Sequence, residues 1–217
     1  MIALVACSVK HPPGWPDEAV AGEAITATRG VMYSVAPRRW DVPGGEEIRV
    51  DVDAFEIVSG WGRAAAAIRF SAAYVGDPAS GLVCATEPTG PGAPETRFGC
   101  WSAADPAALQ FWLAPGAGCP AGQPLRNVKR PECWQGESMV DGRRIRLRHG
   151  HLRGNGWRVG EIAWVDDDEQ ALLVADIVRE QQYRVYPGPV TPTAALRRAL
   201  VLLTVAFAWY EHATSAD

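Results

Sequence analysis

A chain of 217 residues with 47% hydrophobic and 21% charged content fits one β-rich domain, or two small ones, with a real core. The formal net charge of −4 excludes a nucleic-acid binder driven by overall charge, and leaves any acidic partner to a local basic patch. Of the basic residues only Lys10 and Lys129 are lysines, a bias that GC-rich coding accounts for without any demand for guanidinium chemistry.

Five cysteines, Cys7, Cys84, Cys100, Cys119 and Cys133, form no C-x-x-C pair and no Cys/His zinc spacing. Reduced thiols are the default inside a cell. Export would allow Cys84 with Cys100 and Cys119 with Cys133 to pair, because all four fall in a Gly/Pro-rich region. The opening Met1-Ile-Ala-Leu-Val-Ala-Cys7 lacks a basic segment and is too short for a signal peptide. Leu4 to Cys7 would suit a lipoprotein cleavage site if the start lay upstream.

In chain order, residues 1–8 are a short apolar strand, and the three prolines of residues 11–16 then forbid ladder pairing. Residues 19–28 are ambiguous, residues 30–36 read as a strand, and Pro43-Gly-Gly45 is turn chemistry. Residues 46–58 give the clearest strand of the first half. There Ile48, Val50 and Val52 alternate with Arg49, Asp51 and Asp53, the period of two expected when one face is solvated. The alanines at 64–67 run into β-formers through Val75, so a strand is predicted, then a turn at 76–80 and a strand at 81–86. Residues 88–95 and 115–124 are Gly/Pro loops that bracket short strands at 97–101 and 108–113. From Gly136 the punctuation is regular. Strands are predicted at 138–140, 143–149, 157–165, 171–178 and 182–186, with hairpin signals at Asp141-Gly142 and Asn155-Gly156, so this half reads as an antiparallel meander.

The one long helical signal runs from Thr193 to His212. Between Ala199 and Tyr210 only Thr204 is polar, so no polar stripe survives and the helix must be buried on all sides or lie in a membrane. The run is shorter than the about 20 apolar residues that cross a bilayer, which favours burial. Thr191 or Thr193 can cap its start.

The close of the chain resembles the tubby C-terminal-like superfamily, which includes phospholipid scramblases and LURP-one-related proteins. The resemblance rests on Val159-Gly-Glu-Ile162, a strand, Gln182-Tyr-Arg-Val-Tyr186, a proline linker and an apolar helix ending in Trp209-Tyr-Glu-His. It implies a closed antiparallel barrel of about twelve strands around a buried C-terminal helix; a β-sandwich with a C-terminal anchor helix is the alternative fold. Scramblases carry an acidic segment just before that helix. Residues 183–193 here contain no acidic side chain, so calcium binding is not carried over.

The strongest candidate site is the basic strand 143–153. Alternation puts Arg144, Arg146 and Arg148 on one face, where three guanidinium groups suit phosphates or anionic headgroups. The competing reading is a solvated face satisfied by the acidic run Asp166-Asp-Asp-Glu169. His149 and His151 lack further metal-ligand spacing, the acidic run reads as a solubilising turn, and tryptophans such as Trp101 and Trp112 read as core and hairpin fillers. No nucleophile-elbow, zincin, P-loop or dinucleotide motif is present. The expectation is a non-enzymatic domain without cofactor or metal, cytoplasmic or peripheral to a membrane, that binds anionic membrane lipid or an acidic protein through Arg144, Arg146 and Arg148. The alternatives are a membrane-tethered or exported disulfide-bonded β-domain, and an assembly subunit that docks through its C-terminal helix.

Overall fold

The computed structural model describes residues 22–27, 38–60, 63–88, 96–115, 134–154, 157–179 and 182–215. The expected strands at 1–8 and 30–36, the second Gly/Pro loop from residue 116 and the Cys119–Cys133 pairing lie outside these residues.

Twelve strands run in chain order: β1 (Glu23–Ala27), β2 (Arg39–Val42), β3 (Glu46–Gly60), β4 (Arg63–Tyr74), β5 (Asp77–Pro88), β6 (Thr96–Ser102), β7 (Leu109–Pro115), β8 (Trp134–Val140), β9 (Arg143–Gly154), β10 (Trp157–Val165), β11 (Ala171–Arg179) and β12 (Gln182–Pro187). Each pairs antiparallel with its neighbour in sequence, and β1 also pairs with β12, so the sheet closes into a barrel without an open edge. The meander expected for the second half extends through the whole chain. Turn chemistry supports it locally. Asp141 and Gly142 both have positive φ, as the tightest hairpins require, and Gly44 and Gly45 do the same between β2 and β3. The turn before β5 is tighter than expected, with the strand starting at Asp77.

The one helix among the described residues, α1 (Ala194–Ser215), is capped by Thr193, whose Oγ1 accepts from the Leu196 amide at 3.2 Å. Residues 200–210 are buried without a break. Trp209 packs on Phe70 of β4 with ring centroids 4.3 Å apart, and the Trp164 indole on β10 donates to Thr204 Oγ1 at 2.9 Å. Strands β4 and β10 are six places apart in a ring of twelve, hence on opposite walls. A helix that touches both runs through the lumen. The anchor helix of the sandwich alternative and the docking helix of the assembly reading are therefore not the arrangement found: α1 is enclosed. Each large apolar side chain it buries, such as Leu200, Leu203 or Phe207, contributes about 1.5–3 kcal/mol.

The inward side chains follow the alternation. Val52, Phe70, Cys84, Cys100, Phe111, Ser138 and Ile145 are successive register partners across seven strands and line the lumen. Cys84 and Cys100, directly opposite on β5 and β6, are joined in a disulfide that is fully buried. On the outside, β3 and β4 carry Arg49, Asp51, Asp53 and Arg69 in exposed ion pairs. On β10 and β11, by contrast, Ala163, Val165 and Val174 form a separate buried apolar cluster on the outer side of the wall.

The helix is also fixed along its axis. Arg197 pairs with Glu23 and Arg198 with Glu46 and Asp77, the first residues of β1, β3 and β5. Arg198 lies 3.8 Å over the Tyr74 ring, and the Tyr74 hydroxyl donates to the Arg198 carbonyl at 3.0 Å. Burial pushes the Tyr74 phenol well above its ordinary value, with Arg198 opposing in part.

Thr204 tests the lumen directly. Thr204→Val keeps the volume but leaves the buried Trp164 indole N–H without its acceptor, so urea unfolding should show a loss of about 1–3 kcal/mol. An unchanged midpoint would show that this hydrogen bond does not hold the helix.

Candidate site on the outer wall around the basic strand

Strand β9 begins at the Asp141–Gly142 hairpin and leads Arg144 and Arg146 outward while Ile145 and Leu147 point into the lumen. Arg144 and Arg146 thus share the outer face, as expected. The backbone of Arg148 continues the strand opposite Ala163; its side chain lies outside the described residues, as do those of His149 and His151.

Each described arginine has a carboxylate partner. Arg144 reaches Glu137 Oε2 of β8 at 2.7 Å, with both side chains about half exposed. The side-chain hydrogen bond and the charge of Glu137 hold the Arg144 guanidinium above its ordinary pKa. Arg143 lies 3.7 Å from Asp166 Oδ2. Arg146 is the most engaged: it pairs with Glu169 and donates to the carbonyls of Asp166 and Asp167 at 3.2 and 3.3 Å. Strand β9 therefore clamps the turn between β10 and β11.

That turn is organised from within as well. Asp166 Oδ1 accepts from the amides of Asp168 and Gln170 at 3.1 and 2.9 Å, which lets Glu169 adopt a positive φ. The carboxylates of Asp166 and Glu169 are spent on arginines and backbone. Among the described residues no group of three His, Cys, Asp or Glu side chains is placed to hold a metal ion.

No family model, curated protein or solved structure matches the chain. The site's meaning has to come from its geometry. The two described members of the expected trio differ in availability: among the described residues Arg146 is a turn clamp held by three acceptors, whereas Arg144 pairs with Glu137 alone, in an exposed pair that water screens.

Sequence reasoning reads Trp101 and Trp112 as core or hairpin fillers, and the structure places them across the β6–β7 pair rather than in the lumen. Phe98 and Cys100, then Phe111 and Leu113, take the inward positions, so Trp101 and Trp112 lie on the outer wall, half-buried and stacked 6.1 Å apart. Among the described residues the fully enclosed tryptophans are Trp40, Trp164 and Trp209.

The two arginines are separable by substitution. Arg146→Gln should cost about 0.5–1.5 kcal/mol in denaturant titration, because its hydrogen bonds to the turn carbonyls and its ion pair with Glu169 are lost. Arg144→Gln should leave the unfolding midpoint where it is, since its pair is solvated.

Proposed function

We propose that the chain is a binding module of the tubby-like type that meets an anionic partner, a membrane lipid or an acidic protein, on the outer wall at Arg144, with Arg148 as a neighbour on the same strand. A twelve-stranded wall closed around a terminal helix is what the resemblance implies, and it supports the assignment. The observation that carries the proposal is the occupied lumen. With α1 filling the barrel, the wall is where a partner can be met, and Arg144 is a cation of the basic strand there whose carboxylate partner Glu137 can be exchanged for a phosphate or another acid. Arg146, placed in the same site by its sequence position, serves the turn instead.

Vesicle co-sedimentation tests this. Binding to phosphatidylcholine vesicles should rise with added phosphatidylserine and fall between about 0.1 M and about 1 M salt, as the Debye length shrinks from about 10 Å to about 3 Å. Arg144→Gln should weaken binding about fivefold. Salt-independent binding, or equal binding by the variant, would sink the role given to Arg144.

A specific observation also favours the second reading, an exported or tethered disulfide-bonded domain. The Cys84–Cys100 bond joins directly paired strands, and such bonds persist in oxidising compartments. Alkylation of denatured protein isolated from its native host should leave Cys84 and Cys100 unlabelled until reductant is added. Free labelling without reductant would count against that reading.

A further inference from the structure

The Cys84–Cys100 disulfide is closed in from both sides of the wall. Both cysteines are inner-face residues without exposed surface, set between Phe70 on β4 and Phe111 on β7 in one register row. Phe98, two residues before Cys100 on β6, faces the lumen as well. The C-terminal half of α1 lies over these rings, with centroids 4.3 Å apart for Trp209 and Phe70 and 4.1 Å apart for Tyr210 and Phe98. From outside, the Trp112 ring rests on Gly99, next to Cys100, where an added Cβ would come within 2.2 Å of it.

Thiol–disulfide exchange needs more room than this. A dithiol reductant must bring a thiolate to one Sγ, forming a mixed disulfide while the other Sγ departs as a thiolate. Its second thiol then closes on the first. The reductant becomes a disulfide, and Cys84 and Cys100 gain two electrons and two protons. Oxidation of the two thiols by a disulfide reverses these steps and needs the same approach. The inner approach is filled by α1, and the sheet backbone with Trp112 closes the outer one.

We infer that Cys84–Cys100 is a redox setting sealed by α1. The compartment in which the barrel closes around its helix fixes the pair as thiols or as a disulfide, and the folded chain carries that state unchanged into any later compartment. The sheet accommodates both states. The two residues are direct register partners, so their strands stay paired through the backbone whether or not sulfur joins them. The hydrogen bond from Trp164 to Thr204, which ties α1 to β10, belongs to the seal. The inference is independent of the role proposed for Arg144, and it concerns when the pair is set rather than which state the host gives it.

The experiment holds oxidised, folded protein in dithiothreitol across sub-denaturing urea concentrations and reads Cys84 and Cys100 by alkylation and peptide mass spectrometry. The reduction rate should climb steeply with urea, in parallel with unfolding, because the same surface has to be exposed. Thr204→Val should speed reduction in step with unfolding, about fivefold or more. Arg49→Gln, in a solvated pair on the outer wall, should not change it. In the other direction, protein refolded with its thiols and then given glutathione disulfide should keep both cysteines alkylatable until it is unfolded. Reduction that ignores urea, or that ignores Thr204→Val while this variant unfolds more easily, overturns the seal. So does oxidation of the folded thiols with α1 still protected from hydrogen exchange. The reduction arms start from oxidised protein and decide without the refolded form.

Discussion

An α-helix with apolar side chains on every side has to be enclosed on every side, and the architecture follows from that requirement. Between Ala199 and Tyr210 the single polar side chain is Thr204, and even its hydroxyl is used internally, accepting from Trp164 and donating to the Leu200 carbonyl. A flat sheet would cover one face of such a helix; twelve strands closed on themselves cover all of it. Closure in turn fixes which residue of each strand points inward, because a shift by one would exchange lumen and surface along the whole strand.

The same constraint explains the mouth of the barrel. Two arginines in the early turns of a helix oppose its dipole, which favours negative charge there. They are accommodated because Glu23, Glu46 and Asp77, from three separate strands, converge on Arg197 and Arg198. Helix and wall are thereby keyed at one depth as well as packed. Farther along the wall, Arg143 and Arg146 fasten the acidic turn in a similar way.

Much of this was legible in the sequence, where periodicity was strong and both faces differed. Strand β3, the Asp141–Gly142 hairpin, the meander from Gly136 onward and the buried helix all carried explicit signals. Strand β2 did not: its four residues, with only Trp40 and Val42 inward, sit between prolines, and its pairing is set by β1 and β3. Strand β1, with two alanines among its five residues, was ambiguous for the same reason. On β6 and β7 the alternation was present but masked, because apolar residues occupy both faces. Phe98 and Cys100 against Gly99 and Trp101 shows its sense only once the lumen is known. The basic strand was found, yet the division of labour between Arg144 and Arg146 depends on register across β8 and on the β10–β11 turn, which lie outside any local pattern.

Closure by β1 and β12 has a consequence for how the chain is made. Synthesis delivers β1 early and its partner β12 only after every other strand, and the segment that fills the lumen comes later still. Until then the nascent chain is an open sheet with two bare edges and an unfilled apolar face, and contacts of such long sequence separation form slowly. The biosynthetic hazard of this fold is therefore concentrated in the interval before α1 has been made. A chain truncated between β12 and α1 keeps both closing strands but has nothing to fill the lumen they enclose.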